Sequence, residues 1–287
     1  MSNKIIVTAA LTGVLATRAQ SPNLPYSPDE IAEEGRRAVE AGASILHIHA
    51  RQDNGLPAFD VDTYRRIDQA VKERCPGVII NYSTGAIGIP NEDRIHHVDA
   101  LKPDMAALNM GSMNYAIYSR KHKAFYHDFV FANPFKDIRF FLERMQKAGT
   151  RPEMECFDVG HINNAQPLID MGLLPFPLQF SLIMGVLGGI PATTANLVHQ
   201  VNQLPQGAFW QVIGIGRKQW KMIAAAASMG GNIRVGLEDN LYLPDGSLSQ
   251  SNGESVAAAV QLIRLMGLEP ASVTEARAQI NLPQKEN

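Results

Sequence analysis

The chain has 287 residues, with 26 basic and 28 acidic side chains and a formal charge of −2. That length suits two small domains or one large α/β domain, and the near-neutral balance argues against nucleic acid or an anionic membrane as partner. The only two cysteines, Cys75 and Cys156, are too few for a disulfide framework, so a reducing cytoplasm and small-molecule partners are expected.

From the N-terminus, short β-branched or apolar runs alternate with longer segments of helical period. The first run, IIVTAALTGVLA after Lys4, superficially copies a secretory signal, but two threonines and a glycine dilute it and no clean small-residue cleavage site follows. Its first part, 4–11, reads as a strand. Further strands are expected at 44–51, 77–83, 104–110, 151–158, 176–184, 208–215 and 232–238. Helices are expected near 28–42, 61–74, 91–101, 134–148, 161–171, 191–203, 217–229 and 252–266. Several helix starts carry signals: Ser27 before Pro28 with Glu30 following, Asn133 before Pro134, and Asn252 shortly before Glu254. No stretch approaches the ~18 uninterrupted apolar residues of a membrane span.

Eight βα units without a linker or low-complexity break are the arithmetic of a single (β/α)₈ TIM barrel over 1–287, with a C-terminal extension from about 268 to 287. A doubly wound open sheet is the alternative. The segment YSRKHKAFYHDFVFANP after the fourth strand is long for a βα loop, and it or the C-terminal tail could cover the site or reach a neighbouring subunit of a homo-oligomer.

Such barrels place their chemistry at the C-terminal ends of strands. In SILHIHARQD, period-2 alternation puts His47, His49 and Arg51 on one face and Leu46, Ile48 and Ala50 on the other. Two imidazoles at this spacing inside an apolar barrel point to joint ligation of a divalent metal, with two hydrogen-bonded core histidines as the alternative. Glu238, ending the eighth strand in RVGLEDN, is the best third ligand, with Arg234 on its face and Asp239 beside it, turned elsewhere or in the loop. An amidohydrolase pattern fits less well, because its H-x-H lies on strand 1 and further histidines and a bridging lysine are missing.

The stretches AALTG…TRAQSPNLPYSPDEIAEE, AGASILHIHARQDNG, NYSTG, PEMECFDVGHI and RVGLEDN resemble the β-keto acid cleavage enzymes, the family typified by 3-keto-5-aminohexanoate cleavage enzyme. The resemblance runs through essentially the whole chain. It implies a (β/α)₈ barrel with one Zn²⁺ held by His47, His49 and Glu238, and a reaction in which a β-keto acid and acetyl-CoA give acetoacetate and a new acyl-CoA. It also implies that Ser83 helps hold the substrate, with Thr84 and Gly85 adding a hydroxyl and a backbone amide. Arg234 and Asp239 match the family's residues flanking the zinc-binding glutamate, and Glu155, preferred over Glu153, matches a strand-5 glutamate near its active site. In this scheme Zn²⁺ polarises the keto group, Asp239 is the base, kept ionised by Arg234, and a retro-Claisen step returns CoA to the other acyl half. Independently of the resemblance, strand parity turns Arg51 toward the same site, where it is expected either to contact a substrate carboxylate or to fix its neighbours. In GIGRKQW, Gly216, Arg217 and Lys218 are suited to the CoA phosphates.

One position departs from the family. Where the aminohexanoate-cleaving type carries a glutamate facing the substrate's ammonium group, this chain has Leu15, so an uncharged β-keto acid tail is expected. Two other functions remain open: a CoA-independent, metal-dependent aldolase or decarboxylase of β-keto acids, and a non-catalytic carboxylate-binding barrel. His96 and His97 read as surface or inter-helix residues; His161, after the fifth strand, could line the pocket.

Overall fold

The computed structural model describes residues 3–284; residues 1–2 and 285–287, including the end of the expected extension, lie outside the described residues. The strands are β1 (Lys4–Ile5), β2 (Val7–Ala10), β3 (Ile45–Ile48), β4 (Ile79–Tyr82), β5 (Met105–Asn109), β6 (Met113–Ser119), β7 (Ala124–Phe131), β8 (Arg151–Cys156), β9 (Gln179–Met184), β10 (Phe209–Gly214), β11 (Asn232–Val235) and β12 (Glu269–Pro270). Around them run α1 (Pro28–Ala41), α2 (Val61–Arg74), α3 (Asn91–Leu101), α4 (Phe135–Ala148), α5 (Val159–Asn163), α6 (Ala165–Asp170), α7 (Thr194–Val201), α8 (Gln219–Ser228), α9 (Asn252–Leu265) and α10 (Val273–Gln279). Strands β2, β3, β4, β5, β8, β9, β10 and β11 close into a parallel barrel in chain order, with β11 paired back onto β2.

Local chemistry explains these elements. Ser27 caps α1 in a reciprocal pair with Glu30, Pro28 opens the helix, and Gly42 ends it in a left-handed turn. The α9 cap is Ser251, one residue before the expected Asn252. Asn252 is drawn away because its side chain accepts from the Leu237 amide and donates to the Leu11 carbonyl, which joins α9 to the turns that follow β11 and β2. The helix expected over 161–171 is two short helices, α5 and α6.

The inward-facing side chains stack in layers. At the bottom, Ile45, Ile79 and Met105 pack with Ala271, Ala276, Ile280 and Leu282 from the C-terminal segment. That segment therefore plugs the end of the barrel opposite the site, correcting the expectation that it covers the site. Arg277 of α10 anchors the plug, donating to Asp104 at 3.0 Å and to the Gly77 carbonyl. In the middle layer Glu153 accepts from Asn81, Ser181 and Gln211, and Thr8 donates to Gln211. Burying one carboxylate this deeply is tolerable because both its oxygens are hydrogen-bonded.

The long segment after β5 is the antiparallel hairpin β6–β7, with Tyr115 paired to Phe129 and Met113 to Phe131. It reads as a long loop in the sequence because most of β7 is exposed and buried positions occur only at the base of the hairpin, at Met113 and Ala116 of β6 and Phe131 of β7. No helix of the described residues is long and apolar enough to cross a membrane.

Candidate active site

At the C-terminal mouth of the barrel, β3 and β11 bring three ligand-type groups together. His47 Nε2 and His49 Nε2 lie 3.4 and 3.5 Å from Glu238 Oε1, and ligand atoms of the three residues all fall within 4.8 Å of one another. Those separations suit neighbouring ligands of a tetrahedral Zn²⁺ with bonds of about 2.0–2.1 Å. Gly236 makes the approach possible: its φ is +139°, and a Cβ there would meet the Ala10 carbonyl oxygen at 2.2 Å. With no side chain, the turn after β11 runs against β2, and the Glu238 amide donates to the Ala10 carbonyl at 3.2 Å.

Arg234, buried at the end of β11, organises the carboxylates. Its Nε and Nη2 donate to the two oxygens of Asp239 at 2.8 and 2.9 Å, and Nη2 also donates to Glu238 at 2.6 Å. Asp239 lies in the turn after β11, the loop position that the sequence allows, and its carboxylate is held in the site. Arg234 Nη1 is buried without a hydrogen-bond partner, and Glu155 Oε1 lies 3.6 Å away. Three carboxylates therefore face one guanidinium, and a divalent cation among His47, His49 and Glu238 suits that excess of negative charge.

Burial acts on each acid differently. It pushes Glu155 up to about 8, helped by Glu153 below it and opposed by Arg234. Burial raises Asp239 above the ordinary carboxylate value, and the Arg234 guanidinium opposes that rise, acting in favour of the ionised form. At Glu238 burial is outweighed by Arg234 and the two imidazoles, and the group stays well below the usual range.

Above these groups opens a cavity of about 800 Å³. One wall carries Val14, Leu15, Leu56, Ile87 and Ile89; the other carries Tyr115, Phe129, Phe131, Phe157 and Ile215. His49, Ser83, Gly85, Asn109, Glu155, Arg234, Glu238 and Asp239 also line it. The aromatic wall and Asn109 were missed in the sequence. Asn109 ends β5 on the inward face, opposite Glu155, so strand-end parity was the available signal.

Several expected contacts fall elsewhere. Arg51 does not reach the cavity: its guanidinium donates to the carbonyls of Thr12, Gly13, Ala16 and Gly55. The Thr84 hydroxyl donates to the Ala107 carbonyl at 2.6 Å, tying its loop to β5, and the Gly85 amide is taken up by Ser83 Oγ at 3.1 Å. Neither offers its group to a ligand. The Gly216 amide donates to the Asp239 carbonyl at 2.8 Å, and the exposed Arg217 stacks 4.2 Å above Tyr242. Arg217 and the equally exposed Lys218 follow the cavity-lining Ile215 without lining the cavity themselves. His161 is turned onto the Phe157 amide and Gly111. His97 is fully buried, stacked 3.8 Å from Tyr64 and bonded to the Ser83 carbonyl, whereas His96 is exposed.

A closed (β/α)₈ barrel with a two-histidine, one-carboxylate cluster that could hold a metal ion, at the end where such barrels carry their chemistry, is the architecture of a TIM-barrel enzyme. The chain belongs to the beta-keto acid cleavage enzyme family, which it matches over residues 4–282. It is 38% identical over 283 residues to a 3-keto-5-aminohexanoate cleavage enzyme of Fusobacterium nucleatum, covering 98% of this chain and 99% of that protein. It is 34% identical over 300 residues to the 3,5-dioxohexanoate:acetyl-CoA acetone transferase of Paraburkholderia graminis, covering 97% of this chain and 96% of the relative. Among solved structures, the ternary complex of ObcA with a C4-CoA adduct and oxalate shares the fold, with a TM-score of 0.79, 22% identity, and coverage of 92% of this chain and 68% of the other.

Proposed function

We propose that the protein is a Zn²⁺-dependent β-keto acid cleavage enzyme that condenses an uncharged β-keto acid with acetyl-CoA, giving acetoacetate and a new acyl-CoA. The observation that carries this reading is the convergence of His47, His49 and Glu238 beside the bidentate Arg234–Asp239 pair. Held by those three residues, Zn²⁺ supplies Lewis-acid polarisation of the substrate's keto group.

The remaining chemistry falls to the chain. Asp239, fixed on both oxygens by Arg234, takes the proton from the carbon between the two carbonyls. The resulting carbanion attacks the acetyl thioester, CoA leaves as the thiolate, and that thiolate then attacks the original keto carbon. Cleavage of the bond between that carbon and the former nucleophilic carbon releases acetoacetate as its enolate, to which Asp239 returns the proton. Arg234 Nη1, which faces Glu155 at 3.6 Å but has no hydrogen-bond partner among the described residues, is a donor for the oxyanions that form on the way. Glu155 completes the polar floor, Ser83 Oγ is the substrate-holding hydroxyl, and Leu15 with Val14 and Leu56 receives the uncharged tail. Arg217 and Lys218, exposed on the turn beyond Ile215, take the CoA phosphates.

The buried free thiols of Cys75 and Cys156 support a reducing, cytoplasmic setting. Exposed Phe125, Tyr126 and Val130 on the hairpin support a homo-oligomer. The test is to incubate Zn²⁺-loaded protein with acetyl-CoA and a panel of β-keto acids and identify the CoA esters by mass spectrometry. New acyl-CoA from alkyl β-keto acids is the expected result. Keto acid consumed without any new CoA ester overturns it in favour of a CoA-independent aldolase or decarboxylase.

A further inference from the structure

We propose that Arg51 is a positioning residue that holds the metal ligand Glu238 and the Leu15 wall in place through the loop after β2. This rests on the metal-site reading of His47, His49 and Glu238.

Arg51 is buried, and its planar fork is spent on backbone oxygens. Nε donates to Gly13 at 2.8 Å, Nη2 to Thr12 at 3.1 Å and Ala16 at 2.8 Å, and Nη1 to Gly55 at 2.9 Å. Three of these carbonyls belong to one five-residue stretch, 12–16, which can converge only on a donor with several N–H groups in fixed directions. The Tyr26 ring sits against both Arg51, at 4.9 Å, and Arg18, at 4.2 Å. The guanidinium is therefore oriented from outside the loop as well as from within it.

The gathered stretch touches two of the three metal-ligating residues. The Gly13 amide donates to Glu238 Oε2 at 3.1 Å, leaving Oε1 toward the histidines. Gly13 sits at φ +54°, and a Cβ there would come within 2.7 Å of Glu238 Cγ, so loop and ligand are packed with no slack. Thr12 Oγ1 accepts from the His49 amide at 2.9 Å and donates to the His49 carbonyl at 2.8 Å. Two residues after Gly13, Leu15 lines the cavity. One buried side chain thus sets both a ligand's orientation and the wall facing the substrate tail, and orienting contacts of this kind tune metal affinity.

The experiment compares full-length wild type, Arg51→Met and Arg51→Lys by three readouts: Zn²⁺ affinity in chelator competition, the visible spectrum of the Co²⁺-substituted protein, and KM against kcat for an alkyl β-keto acid. Arg51→Met is expected to bind Zn²⁺ about 10–100-fold more weakly, with a changed Co²⁺ spectrum and a raised KM. Arg51→Lys, with three donors on a flexible stem, is expected to restore part of the loss. A folded Arg51→Met with wild-type Zn²⁺ affinity and an unchanged Co²⁺ spectrum overturns the proposal, whatever its melting temperature. Should Arg51→Met fail to fold, Arg51→Lys decides: weakened Zn²⁺ binding supports the role and wild-type binding overturns it. Wild type that takes up no Zn²⁺ overturns the metal-site reading itself, a result separate from any difference among the variants.

Discussion

Glu153 and Glu155 leave β8 on the same side, two residues apart, and enter different surroundings. Glu153 is enclosed by Asn81, Ser181 and Gln211 in the middle of the barrel, its oxygens fully occupied. Glu155 sits one layer higher at the floor of the cavity, 3.6 Å from Arg234, with no hydrogen bond comparable to those around Glu153. The lower half of the barrel ties Glu153 to three neighbours and seals its base with Arg277, although Asn81 Oδ1 and Gln179 Nε2 there lack hydrogen-bond partners among the described residues. The upper half leaves Arg234 Nη1 open and crowds three carboxylates round one guanidinium. Closed pairs support stability, and open ones leave valence for a ligand.

The largest contrast between the halves is expected from the metal cluster. His47→Ala, His49→Ala or Glu238→Gln should abolish turnover and Zn²⁺ retention together, and chelation of wild type should do the same reversibly. Metal analysis alongside acyl-CoA production checks both. Full activity in His49→Ala would place the chemistry elsewhere. Asp239→Asn should lower kcat by about 10²–10⁴-fold while Zn²⁺ stays bound, because it removes the proton acceptor and no ligand.

At the base of the barrel the effect should appear in stability instead. Arg277→Met leaves Asp104 buried without its 3.0 Å ion pair, a loss of about 3–5 kcal/mol. Denaturant unfolding measures it, and turnover per folded molecule should be unchanged. A kcat defect in Arg277→Met would break the division between the two ends.

Much of this architecture was legible because repeated local signals agreed. The strand–helix alternation and the start signals at Ser27 and Pro28 describe the barrel, and period-2 parity alone puts His47 and His49 on one face. What parity cannot give is direction beyond the strand. Arg51 shares the histidines' face by spacing, yet β3 ends at Ile48 and the chain then bends, so the guanidinium meets loop carbonyls and not the cavity. Thr84 and Gly216 went wrong for a related reason: their polar groups are claimed by neighbouring backbone that only tertiary structure brings near. The hairpin was hidden because most of β7 is exposed and its buried positions lie only at the base, which leaves no clear alternation. Asn109 is a lone polar residue at a strand end, where parity gives its face but nothing in its spacing marks it as functional.

The two glutamates give a pH test. Glu155 has its folded-state pKa raised from 4.5 to about 8. Below 4.5 it is protonated whether the chain is folded or not; between these values the unfolded carboxyl ionises while the folded one keeps its proton. Stability therefore falls as pH rises through that window and levels off above it. In the metal-free protein, Glu155→Gln should remove this slope and gain on wild type by a few kcal/mol at most, as about 1.4 kcal/mol per pKa step sets the ceiling. Parallel melting curves of wild type and variant from acid to mildly alkaline pH would refute the buried, proton-holding Glu155.

The smallest effect concerns the substrate's tail. Leu15 stands at the cavity lip and is 42% exposed, so a substrate group beside it keeps part of its hydration. An unpaired ammonium there is penalised less than full burial would imply. By the same reasoning, a carboxylate introduced by Leu15→Glu forms a partly solvated ion pair, contributing about 0.2–1 kcal/mol. The variant should then shift the kcat/KM ratio of an amino-substituted over an alkyl β-keto acid by up to about fivefold, and less at high salt. A shift of several hundredfold would mean that the lip closes over the bound tail, making the upper half of the barrel as sealed during turnover as the lower half is at rest.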